Sequence, residues 1–85
     1  MLRWRRRSTV ARRRRWAQNR LEDLILEASL DAKRAGDDDL ACALYDASRA
    51  MRKTIPRNMW RDLGAYDESG LRAIVAAMLE RWSAP

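Results

Sequence analysis

In AQNRLEDLILEASLDAKRAGDDDL, residues 17–40, apolar side chains recur at helical spacing up to a glycine, and three aspartates follow at once. On a helix, Ala17, Leu21, Leu24, Ile25, Ala28, Ala32 and Ala35 fall within one arc of about 100°, the core-facing stripe of an amphipathic element. Gly36 fits the left-handed position just past a helix C-terminus, which glycine occupies without a Cβ clash. Asp37, Asp38 and Asp39 then supply an N-cap and place negative charge at the positive end of a second helix dipole. One glycine between two helices predicts a tight antiparallel αα-hairpin.

Downstream, Leu40, Ala43, Leu44, Ala47, Ala50 and Met51 form the expected stripe of the second helix. Arg52 and Lys53 complement its C-terminal end, and Pro56 stops it. The order Gly36, Ala41, Tyr45, Ser48 resembles the second helix of a tetratricopeptide repeat, which implies a packed helical hairpin. Residues 54–64 predict a short helical turn, with Pro56 at its first position and Gly64 closing it. Ile55, Met59, Trp60 and Leu63 would plug the end of the hairpin. Asp67, Glu68 and Ser69 cap a last helix whose apolar face is Leu71, Ile74, Val75, Met78, Leu79 and Trp82, with Pro85 ending the chain. The expected fold is all-α: a small bundle of three main helices plus a short helical turn. With only three Gly and two Pro in 85 residues, and no strand-like alternation, nothing opposes that reading.

Upstream, the composition changes. Eight of the eighteen basic residues lie in positions 1–16, in the runs Arg3-Trp4-Arg5-Arg6-Arg7 and Arg12-Arg13-Arg14-Arg15-Trp16, with no acidic residue among them. The rest of the chain holds ten Lys/Arg against twelve Asp/Glu, so the net +6 belongs to one segment. The expected organisation is a basic arm over 1–16 and a single helical domain over 17–85. The first helix is expected to start near Thr9, with Ser8 as N-cap. Consecutive residues point 100° apart, so Arg12 to Arg15 face four directions and Arg14 aims along the core stripe. Burying an unpaired guanidinium is very costly, so this segment is expected to project beyond the bundle or to order only on a partner.

Such a cation cluster seeks a polyanion. Guanidinium forks match phosphate bidentately and stay charged at any physiological pH. Arg3, Arg5, Arg6, Arg7, Arg12, Arg13, Arg14 and Arg15 are therefore the expected phosphate contacts. Trp4 and Trp16 bracket them and can stack on unpaired bases. The run Ala11-Arg12-Arg13-Arg14-Arg15-Trp16-Ala17 resembles the arginine-rich RNA-binding peptides of phage antiterminators, which implies a helix docked in a hairpin RNA. The expected function is that of a small bacterial or phage regulatory protein binding nucleic acid, RNA or DNA, through residues 3–16. An acidic protein face is a second partner class, and an anionic membrane surface ranks behind both, because the arm lacks the aliphatic residues for deep insertion. A homodimer is also admitted, since about seventy residues make a marginal core.

A second basic face follows the same logic: Tyr45, Arg49, Arg52 and Lys53 lie opposite the expected core stripe, with Arg57 and Arg61 beyond. Leu26 and Leu30, four apart on the far side of helix one, mark a seam for a second copy or a partner helix. The alternative function rests on that seam: a helical adaptor or inhibitor that binds a host protein through Leu26, Leu30 and Tyr45, the arm only steering association. The chain has no histidine and one cysteine, Cys42, so no enzyme, metal site or cofactor is expected. A lone cysteine and the lack of any apolar run of about 20 residues or of a leader-like h-region predict a cytoplasmic protein.

Overall fold

The computed structural model describes the backbone of residues 2–83 and, within that span, the side chains other than those of 2–8, 52, 54 and 83. The described residues are all-helical, with no strand. Helix α1 is Leu2–Arg34, α2 Asp38–Arg49, α3 Met51–Thr54, α4 Arg57–Asp62 and α5 Glu68–Ser83, with a 3₁₀ turn at Leu63–Ala65 between the last two. At 1.5 Å per residue, α1 spans about 50 Å. The longest dimension of the molecule is 53 Å against 21 Å in the other two, so α1 sets its shape.

The expected start of α1 at Thr9 is corrected: the helix begins at Leu2, and Ser8 lies inside it rather than capping it. Arginine is a good helix former, and no glycine or proline interrupts residues 2–34. At its other end, Gly36 has φ +83°, the Asp37 amide donates to the Ala32 carbonyl at 2.9 Å and the Gly36 amide to Lys33 at 3.0 Å. These two bonds are the Schellman pattern, and they satisfy carbonyls that the helix end leaves open. Asp37 then caps α2 by accepting from the Leu40 amide at 3.1 Å.

Ala17, Leu21, Leu24, Ile25 and Ala32 are buried and Ala28 is half-buried, whereas Ala35, past the end of the helix, is exposed. The stripe of α2 is rotated by about 60° from the expected one. Ala41, Leu44, Ala47 and Ser48 are buried, as is Met51 after them, while Leu40 and Ala50 are half-buried and Ala43 is exposed. A polar contact crosses the hairpin on this buried side. Ser29 Oγ, buried on α1, donates to the Ala41 carbonyl at 2.7 Å, and small side chains there let the helices approach. Ser48 Oγ donates to the Tyr45 carbonyl at 2.6 Å, so neither buried hydroxyl lacks a partner.

Helix α2 breaks at Ala50, whose amide is shared between the carbonyls of Asp46 and Ala47. Ile55 is extended, as a residue before proline must be, and Pro56 sits at the N-cap of α4 rather than at its first helical position. Ile55 and Leu63 are buried against the hairpin, with Met59 and Trp60 packed half-buried beside them. On α5, Leu71, Ile74 and Val75 are buried, Met78 and Leu79 half-buried, and Trp82 faces out beside Leu40 and Ala43.

A charged clamp ties the start of α5 to α1. Arg20 meets Glu68 bidentately, Nε to Oε1 at 2.6 Å and Nη2 to Oε2 at 3.0 Å, and Arg72 Nε reaches the same carboxylate at 3.0 Å. The hydrogen bond from Arg20, with the charges of Arg20 and Arg72, holds the Glu68 pKa below the ordinary glutamate value. A depressed folded pKa adds stability that is complete above the unfolded value and lost as pH falls through the folded one. The guanidiniums stay charged throughout. Chemical denaturation of the native protein and of Glu68→Gln should therefore show a stability gap that is constant above about pH 5 and closes on going below about pH 4. A gap independent of pH down to about 3 would contradict the clamp.

Candidate nucleic-acid interface

The core stripe of α1, continued toward the N-terminus, leads from Ala17 to Arg14 and Arg13. What meets the helix there is Gly64. A Cβ on Gly64 would lie 3.2 Å from the Arg14 amide nitrogen and 3.4 Å from its Cα, so glycine eases a backbone approach that a side chain would crowd by a few tenths of an ångström. Arg13 Nε donates to the Gly64 carbonyl at 3.1 Å. The expectation that Arg14 must either be buried or force the segment away is resolved by this turn. The helix docks through its backbone, and Arg12, Arg13, Arg14 and Arg15 all stay exposed. Among the described residues no carboxylate lies within ion-pair distance of these four. Trp16 beside them is 44% exposed. Arg3, Trp4, Arg5, Arg6 and Arg7 fall within the span of α1, and their side chains lie outside the described ones.

A second surface opens between α1, α2 and the segment that follows. It is a groove of about 690 Å³ whose wall includes Leu26, Tyr45, Arg49, Met51, Lys53 and Trp60, with Glu22 on the α1 side. Arg49 Nη1 donates to the Tyr45 hydroxyl at 3.1 Å, and its guanidinium carbon lies 5.8 Å from the ring centroid. Each side chain thus holds the other's position.

The hairpin brings together residues that belong to separate patterns in the sequence. Leu26 of the expected seam and Tyr45, Arg49 and Lys53 of the expected basic face share this groove. Leu30, 54% exposed, stands outside it, as do Arg57 and Arg61, which are exposed on or beside α4. The side chain of Arg52 is not among those described. Trp60 and Glu22 were not expected here. Register about the Ala35–Gly36 turn provides the signal for one of them: in an antiparallel hairpin, positions equidistant from the turn face each other, which pairs Leu26 with Tyr45 and Glu22 with Arg49.

The groove also continues the basic end of α1. Arg12, Arg15, Asn19, Glu22 and Leu26 lie within about 80° of helical arc, and Arg15 precedes Leu26 by about 16 Å along the axis. One face of α1 thus leads from the arginines to the groove. Cys42 is exposed. Among the described residues no helix is long and apolar enough to cross a membrane. No protein family, curated protein or solved structure matches the chain.

Proposed function

We propose that this is a nucleic-acid-binding protein whose α1 lays its arginine end along a phosphate strand, with Arg12 to Arg15 as the central contacts and Arg3, Arg5, Arg6 and Arg7 extending them. The observation that carries this reading is four consecutive exposed arginines, with no carboxylate partner among the described residues, on a helix whose backbone is seated on Gly64. Geometry favours nucleic acid over the other polyanions. Four side chains at 100° intervals cannot all face a plane, so a bilayer surface or a flat acidic protein face would engage about half of them. A flexible phosphate strand can follow the sides of the helix that the Gly64 turn leaves open.

Phosphate contacts fix position and carry no sequence information, so discrimination at this surface is between forms of nucleic acid. The test is binding of the full chain to a labelled RNA hairpin, a single strand and duplex DNA of equal charge across a salt series. Retained binding at physiological salt with preference for one form is expected. Equally weak binding to all three, gone at moderate salt, would overturn the proposal and turn attention to a protein partner at Leu26, Leu30 and Tyr45.

A further inference from the structure

We infer that the groove between α1, α2 and α4 takes up an unstacked base of the bound strand, with Trp60 and Tyr45 as the stacking surfaces and Arg49 and Lys53 on its phosphate. This rests on the nucleic-acid reading above and specifies what the folded body adds to it. The groove combines an apolar floor, Leu26 and Met51, with an indole, a phenol, two cations and one carboxylate. An aliphatic ligand leaves the charges unused, and inorganic phosphate leaves the rings unused. A nucleotide uses both. At about 690 Å³ the groove falls in the range that holds a ligand of that size.

The charges orient the occupant. Glu22 repels phosphate, so the backbone lies toward Arg49 and Lys53 and the base edge toward Glu22, whose oxygens can accept from base N–H groups. Tyr45 is 46% exposed, and the Arg49 guanidinium, over its ring and bonded to its hydroxyl, places a cation beside the phenol. The source of the base is the bound strand rather than a free nucleotide, because Arg12 and Arg15 lie on the same face of α1 as Leu26 and supply cations for flanking phosphates.

The experiment uses the full chain with a 12-nucleotide single strand carrying one central 2-aminopurine, a duplex of the same length, and adenosine monophosphate. The native protein should prefer the single strand and change the 2-aminopurine fluorescence. Trp60→Leu should weaken single-strand binding by about 5- to 150-fold, the range for losing one base–aromatic stack, and leave duplex binding unchanged. Arg49→Gln with Lys53→Gln, both exposed positions, is the second variant and should weaken single-strand binding selectively without disturbing the fold. Single-strand binding unaltered in both variants would overturn the groove assignment while leaving the role of α1 intact. Monophosphate binding as tight as the 12-mer would overturn the strand as source. Loss of all binding by the native protein at physiological salt would remove the nucleic-acid reading itself.

Discussion

Replacing Arg12, Arg13, Arg14 and Arg15 together by glutamine should lower nucleic-acid affinity on the order of 100-fold or more at low salt and flatten its salt dependence. Each phosphate neutralised contributes about −0.9 to the slope of log K against log salt on duplex DNA and about −0.7 on a single strand. With four fewer phosphates neutralised, the slope should be shallower by about 3 to 4 units. Glutamine is close to arginine in helix propensity, and the approach of α1 to Gly64 is made by backbone, so the seat of the helix survives. The substitution does remove the exposed hydrogen bond from Arg13 to the Gly64 carbonyl, a small cost beside the packing of the turn. Circular dichroism should show native helix content. This variant separates binding from folding, whereas deleting residues 1–16 would strip the helix from Leu63–Ala65 and disturb both. Unchanged affinity with an unchanged slope would contradict the assignment.

Leu63→Ala should cost about 2–5 kcal/mol, the range for emptying a fully buried leucine site. Leu63 has no exposed surface, and its turn is the platform on which the arginine end of α1 rests. A domain of this size has roughly 4–13 kcal/mol in total, so the loss is a large fraction of it. Urea denaturation reads the cost as a lower midpoint, and hydrogen exchange reads its location. Amides of residues 14–21 should lose protection at least as much as those of the hairpin turn. A midpoint shift worth less than about 1 kcal/mol would mean that Leu63 is not the anchor described.

Much of this architecture can be read from local signals. The α1 stripe from Ala17 to Ala32, the left-handed Gly36, the caps Asp37 and Asp67, and the apolar face of α5 each follow from a short pattern with one physical cause. Asp67 accepts from the Gly70 amide at 2.8 Å, as a residue at that position should. The features that sequence reading missed depend on packing between distant segments. Ser29 and Ser48 lie outside the expected apolar stripes, yet both are buried, and Ser29 bonds the Ala41 carbonyl across the hairpin. The break at Ala50 has no glycine or proline to announce it, and alanine is the best of helix formers. Gly64 reads as the end of a short turn, and only the packed structure gives it a second role against Arg13 and Arg14.

The candidate surface divides in the same way. Charge segregation makes the arginines of 1–16 visible at once, because no tertiary contact is needed to see them. The groove is assembled from two helices and the segment after them, and Trp60 reaches its wall only through the turn at Pro56 and the packing of α4. A residue of that kind reads as core in any single-segment pattern. Sharing a groove wall with Arg49 and Lys53 is what gives it a second reading.

The most direct test of the account is competition. A labelled RNA hairpin or single strand is bound to the full chain at physiological salt and displaced either by the same unlabelled nucleic acid or by inorganic polyphosphate of equal total charge. If α1 is fitted to nucleic acid, the unlabelled strand should displace the probe at far lower charge concentration than polyphosphate. Displacement charge for charge by polyphosphate would show that the arginines answer to any polyanion, and the account of α1 as a nucleic-acid interface would fail.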